Sequence, residues 1–166
     1  MIRSERPTDI AAIRAVNAAA FESSAEADLV ERLRAQATPF VSLLADDGAS
    51  IVGHVCFSPV TLSGDADLKI IGLAPMAVVP AAQRRGIGSA LVLDGIERCR
   101  SLGYGAIVVL GHADYYPRFG FVPASRFGIR SNYDVPDDVF LLLELQRGYL
   151  AGKTGTIHYH PAFAGV

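Results

Sequence analysis

The segment Gln83-Arg84-Arg85-Gly86-Ile87-Gly88 sits between an apolar run, Leu73 to Pro80, and an amphipathic pattern running from about Gly86 to Leu102. The run reads as a strand and the pattern as a helix. A strand, a short loop with two arginines and two glycines, and a helix start together hold anions well. The first backbone N–H groups of a helix have no internal partner, and the helix dipole favours negative charge there. Arg84 and Arg85 add donors suited to phosphate oxygens.

The surrounding elements predict one compact α/β domain over residues 1–166, with residues 147–166 as a C-terminal tail extension. Met1 to Glu5 reads as a first strand, and Thr8 as the cap of a helix reaching about Ala20. Ser23-Ser24-Ala25-Glu26 has the form of a capping box before a second helix carrying Leu29, Val30 and Leu33. Phe40 to Ala45 and Ile51 to Leu62 flank the turn Asp46-Asp47-Gly48, which makes them a hairpin. Lys69 to Val79 reads as a long strand. Tyr104 to Leu110 is a buried strand reached by a helical crossover. A short helix around Ala113 to Phe119, a strand near Phe121 and a last strand Val139 to Leu145 complete the pattern. The order is β-α-α-β-β-β-α-β-α-β-β, a mixed sheet with helices on both faces.

Pro75 interrupts what would be a central strand. Proline has no N–H to give a sheet ladder, so it belongs at an edge, a break or a bulge. A plain strand break and a bulge that opens the sheet beside a ligand both satisfy that constraint.

Composition narrows the function classes. A hydrophobic share of 51% with 19% charged residues argues against disorder. No apolar run reaches the ~18 residues of a membrane span, and the N-terminus lacks the apolar core of a signal peptide. The net charge of −2 makes nucleic acid an unexpected partner. Cys56 and Cys99, both in apolar segments, read as buried free thiols of a cytoplasmic protein. His158 and His160 share a strand face but lack a third ligand nearby, so no metal is expected. The Rossmann and P-loop patterns both fail, because the third glycine and the Gly-Lys-Ser/Thr are missing.

Gln83-x-x-Gly86-x-Gly88 after a strand ending Val-Val-Pro resembles the acetyl-CoA signature of the GNAT family of N-acetyltransferases. Tyr115-Tyr116-Pro117-Arg118-Phe119-Gly120-Phe121 resembles that family's Tyr-x-x-x-Gly-Phe segment. With Gly53-His54 and Leu110-Gly111-His112, the chain is similar to a bacterial branch of the family, the YhbS-like predicted N-acetyltransferases. The resemblance covers nearly the whole chain. It implies a GNAT-like, mostly antiparallel sheet flanked by helices on both faces.

It also implies chemistry. Acetyl-CoA would be the acyl donor and an amine the acceptor, with direct attack on the thioester and no covalent enzyme intermediate. Gln83, Arg84, Arg85, Gly86, Ile87, Gly88 and Ser89 would hold the diphosphate. Met76, Ala77 and Val78 would offer backbone groups to the pantetheine arm, and Phe119 would complete the coenzyme site. Tyr116 is the expected general acid, with Tyr115 as its competitor. Many relatives carry a carboxylate on the central strand, yet Lys69 to Pro80 contains no Asp or Glu. His54 is the expected base, while Glu26, or an acceptor amine of low pKa, are alternatives. His112 reads as a cap of the short helix, and Arg126 and Arg130 as solvated or as contacts for an anionic acceptor. A non-catalytic acetyl-CoA-binding module and a transferase for another acyl-CoA or acceptor stay open beside the main reading. A homodimer stays open as well.

Overall fold

The computed structural model describes residues 1–164. Its sheet begins with β1 (Ile2–Ser4), β2 (Val41–Asp46), β3 (Ile51–Leu62) and β4 (Asp65–Val78), each antiparallel to the one before. β5 (Ala106–Leu110) then lies parallel to β4, and β8 (Phe140–Glu144) and β6 (Val122–Pro123) follow antiparallel. Two short strands extend the sheet: β7 (Ile129–Ser131) pairs with β9 (Gly155–His158), and β9 pairs with the end of β3. The expected mixed, mostly antiparallel sheet is therefore present. β7 and β9 are additions to the expected order.

Alternation along the strands sorts side chains to two faces. Leu43, Val55, Phe57 and Ile71 face α3 (Ile87–Ser101), whose Leu91, Val92, Ile96 and Cys99 meet them in one core. Leu44 and Cys56 face the other way, toward α1 (Ile10–Phe21) and α2 (Ala25–Gln36), where Ile13, Leu29, Val30 and Leu33 close a second core. A third cluster, with Val60, Ile70, Val108 and Ile157, lies under the C-terminal strands.

Three local expectations are corrected. The fourth helix is only a 3₁₀ turn, Tyr116–Phe119, because Pro117 near its start and Gly120 in the left-handed conformation at its end leave four residues. Thr8 does not cap α1. Instead the Asp9 carboxylate accepts the Arg6 amide at 2.7 Å and pairs with Arg3 at 2.8 Å. The capping box before α2 does not form: Ser23 Oγ accepts the Ala25 amide at 3.1 Å, and Glu26 Oε1 is buried without a hydrogen-bond partner among the described residues.

The feature that positions the site is a bulge. Val55 pairs with Met76 and Phe57 with Leu73, so Ala74 and Pro75 together oppose Cys56 alone. β5 pairs only with Ile70 to Gly72 of β4. Beyond Gly72 the two parallel strands separate, and the β5-facing edge from Leu73 to Val78 has no strand partner.

Contact between helix and sheet on the α3 face depends on Gly95. A Cβ there would stand 2.3 Å from Phe57 Cζ, inside any allowed contact. Gly95→Ala is expected to destabilise the fold by about 1–3 kcal/mol through overpacking. Thermal unfolding should show Tm lower by about 2–12 °C. An unchanged Tm would mean that the ring moves freely and that this contact does not fix α3.

Candidate active site

The separated strands open into a cavity of about 840 Å³. Its floor is Met76, Ala77 and Val78 of β4, and its far end is Gly86, Ile87, Gly88 and Ser89 at the start of α3. Gln83 and Arg84 also line it, and Tyr116 stands on the opposite wall. Most of the residues named from sequence thus share one space.

The geometry at α3 explains why this end is receptive to anions. Gly86 is the N-cap in the left-handed conformation, φ 79°, which a side chain would strain. The first helical hydrogen bond runs from Ala90 N to Gly86 O at 3.0 Å. The amides of Ile87, Gly88 and Ser89 therefore lack a helical partner. Gln83 turns back to donate to Val78 O at 3.0 Å, which ties the loop to β4.

Two of the residues named for the coenzyme lie outside this cavity. Arg85 lines a smaller depression shared with Met1, Asp46 and Asp47, so only Arg84 of the pair faces the main space. Phe119 packs against the α3-side core, its ring 5.4 Å from that of Tyr115.

His54 is also displaced from its expected role. It is fully buried on the α1 face of β3. Its Nδ1 lies 3.2 Å from Asn17 Nδ2, and its Nε2 lies 2.8 Å from Ser42 Oγ. Ser42 Oγ donates to the Glu5 carboxylate, which pairs with Arg34 at 2.7 Å. A carboxylate only accepts, so the Ser42 proton belongs to Glu5 and Ser42 oxygen accepts from His54 Nε2–H. Nδ1 is then the unprotonated nitrogen and accepts from Asn17, whose amide also donates to Ile13 O at 3.0 Å. The imidazole is a neutral structural link with both nitrogens occupied. Burial drives its pKa down to about 4, against the pull of Glu5 and with the push of Arg34.

The two tyrosines face different parts of the cavity. Tyr116 is 7% exposed, with its ring against Phe121 (5.7 Å) and Tyr115 (5.0 Å). Gly111 allows that seat, since a Cβ there would lie 2.2 Å from Tyr116 Cε2. Burial, with Tyr115 adding to it, pushes the Tyr116 phenol well above its ordinary range, so it stands as a protonated donor. Tyr115 reaches the α3 end instead, its hydroxyl 3.1 Å from Ser89 Oγ and its ring 4.5 Å from the Arg118 guanidinium. Arg118, His112, Ala20 and Phe21 line the cavity without having been assigned from sequence to the coenzyme or the chemistry. Arg118 lies inside the Tyr-Tyr-Pro-Arg-Phe-Gly-Phe segment, which was the available signal.

Residues 10–121 match the model of the acetyltransferase (GNAT) family. YhbS of Escherichia coli, an uncharacterized N-acetyltransferase, is 37% identical over 164 residues, covering 98% of both chains. The crystal structure of YhbS in complex with CoA superposes with a TM-score of 0.91, covering 98% of this chain and 91% of that one. A GNAT acetyltransferase from Brucella melitensis in complex with acetyl-CoA is 36% identical, with a TM-score of 0.81 over 98% of this chain and 97% of that one. The chain belongs to the GNAT acetyltransferase family. Its enzyme class is N-acetyltransferase.

The buried state of His54 carries a pH signature. The folded protein keeps it neutral down to about 4, whereas the unfolded chain binds the proton near 6.5. Stability is full above 6.5 and falls as pH drops toward 4, by about 3 kcal/mol in all. His54→Gln should flatten urea-unfolding stability across that window while wild type slopes. Equal slopes would mean that the imidazole titrates freely in the folded protein.

Proposed function

We propose that this chain transfers an acetyl group from acetyl-CoA to a primary amine by direct attack within a ternary complex. The observation that carries the reading is the joining of an unpaired strand edge, Met76 to Val78, and the open α3 amides in one cavity. The relatives crystallised with CoA and acetyl-CoA support it.

The diphosphate lies on the amides of Ile87, Gly88 and Ser89, with Gln83, Arg84, Gly86 and possession of a helix dipole setting the anionic preference. The pantetheine arm takes the place of the missing strand, its amides bonding the β4 edge. Arg85 contributes charge from outside the cavity, and Phe119 holds Tyr115 in place rather than touching the coenzyme. The amine nitrogen attacks the thioester carbonyl carbon, a C–N bond forms and the C–S bond breaks. The sulfur leaves as thiolate and takes the phenol proton of Tyr116. The proton released by the nitrogen returns through solvent to the phenolate. No step needs a metal, and among the described residues no group of three or more His, Cys, Asp or Glu is placed to hold one.

Without His54 as base, positioning carries more of the rate. An α-amine with a pKa near 7.7–8.0 is already neutral in a useful fraction at neutral pH, whereas an alkyl amine near 10.4 is not. The acceptor is therefore a weakly basic primary amine. We assign the reaction to a single catalytic domain spanning the chain, in the cytoplasm; among the described residues no helix is long and apolar enough to cross a membrane.

Thiol release from acetyl-CoA with a panel of amines tests the reading, and the absence of both release and CoA binding would end it. Tyr116→Phe should lower kcat about 100-fold with CoA affinity intact. Gly88→Val should weaken CoA at least about tenfold. The added side chain starts 3.2 Å from the Tyr115 hydroxyl and 3.5 Å from Met76 Cε, filling the cradle.

A further inference from the structure

The Arg118 guanidinium is fixed in direction yet has no counter-charge. Its Nε donates to Tyr115 O at 2.8 Å and its Nη2 to Asp114 O at 3.4 Å. Its central carbon stands 4.5 Å above the Tyr115 ring, a cation on an aromatic face. These bonds leave the Nη1 edge of the fork unused. Among the described residues no Asp or Glu forms an ion pair with Arg118.

This guanidinium lines the 840 Å³ cavity from the 3₁₀ turn Tyr116–Phe119, while Arg84 lines it from the loop before α3. No Asp or Glu is among the lining residues, so the cavity suits a ligand with more than one anionic group. Tyr115 links the two regions. Its hydroxyl lies 3.1 Å from Ser89 Oγ, at the open α3 amides, while its ring face carries the guanidinium. Arg118 therefore stands one ring away from the seat of the first anion. CoA has a second one. Besides its diphosphate it carries a phosphate monoester on the ribose, with a charge of about −1.5 to −2 at neutral pH and oxygens that match a guanidinium fork.

We propose that Arg118 binds the ribose phosphate monoester of the coenzyme, with the Tyr115 ring holding the guanidinium in register with the diphosphate seat on α3. The inference rests on the coenzyme site of the acetyl-transfer reading and deepens it. Arg118 is then a specificity-determining residue, which selects CoA over the same thiol without the monoester. The 3₁₀ turn serves both substrates' chemistry at once: Tyr116 faces the thioester and Arg118, two residues on, faces the far end of the coenzyme.

The test is calorimetric titration of wild type, Arg118→Gln and Arg118→Lys with CoA and with dephospho-CoA, which lacks only the ribose phosphate. Wild type is expected to bind CoA about tenfold more tightly than dephospho-CoA, a preference that shrinks as salt rises. Arg118→Gln should erase the preference by weakening CoA alone. Arg118→Lys should keep part of it, because the ammonium retains the charge without the fork or the stacking. Arg118 is exposed, so both variants should unfold at the wild-type Tm. A wild type that does not discriminate, or a preference that survives Arg118→Gln, overturns the inference. So does an Arg118→Gln protein that binds both coenzymes like wild type but loses a wild-type preference for glycylglycine over glycylglycinamide, since the guanidinium then serves a carboxylate of the acceptor. Wild-type protein that binds CoA but releases no thiol with any amine refutes the transfer reading instead, and the comparison of the two coenzymes still decides the role of Arg118.

Discussion

The separation of β4 from β5 is the constraint on which the site depends. A parallel pair inside a sheet is ordinarily bonded along its length, and leaving one edge unpaired exposes a row of backbone donors and acceptors. Here the bulge at Ala74 and Pro75 changes the course of β4 after Gly72. Proline removes a donor at the bulge, and the Ala74 carbonyl is met from the other side by Cys56 Sγ at 3.2 Å. The edge beyond is free to bond an extended ligand. The opening also brings the end of β4 to the start of α3, so an unpaired strand edge and a set of open amides share one continuous space.

Keeping such an opening requires rigid walls on both faces. Phe57 and Ile71 seat α3, while Leu44 and Cys56 seat α1 and α2. Removing the Phe57 contact would let α3 shift, and with it the amides that face the cavity. On the other face, the chain Arg34–Glu5–Ser42–His54–Asn17 pins α1 and α2 to β1, β2 and β3. Burial alone would raise the Glu5 carboxyl, but hydrogen bonds from Arg34 and Ser42 bring it lower on balance, so it stays ionised and orders every donor in the chain. α1 carries Ala20 and Phe21 to the cavity rim, so this polar chain sets one wall of the site without entering it.

What was legible in the sequence was local. Gln83 to Ser89 announces an anion-receptive helix start through residue types that act on their own backbone, and Pro75 announces a departure from the ladder, by a break or a bulge, because no proline fits a ladder. The turn Asp46-Asp47-Gly48 between two strand-like runs announced the β2–β3 hairpin. What escaped depends on distant partners. His54 reads as a titratable group beside the site, and only Asn17, 37 residues earlier, and Ser42 on the paired strand show that its nitrogens are occupied. Ser23 to Glu26 has a capping-box pattern, but the box needs a reciprocal geometry that the turn after Phe21 does not provide. Arg84 and Arg85 are adjacent and chemically alike, yet the positive φ of Arg84, 64°, accompanies their division between two depressions. The tail hid β9 because four strand residues among glycines carry too little periodicity to read.

The loss of His54 as a base changes what the reaction requires. A base with a pKa of about 4 would take a proton from an ammonium near 10.4 only at a penalty of roughly 9 kcal/mol, so even an accessible imidazole in this environment could not do the work. In the proposed reaction the protonated phenol of Tyr116 stands on the wall where a thiolate would depart, and β4 carries no carboxylate from Lys69 to Val78. Under the proposed mechanism, proton removal then falls to the equilibrium of the amine itself. That arrangement makes acceptor basicity a direct determinant of rate. Between amines of pKa near 8 and 10.4, the neutral fraction at neutral pH differs by more than about 100-fold, which is selectivity obtained without a single contact to the rest of the acceptor.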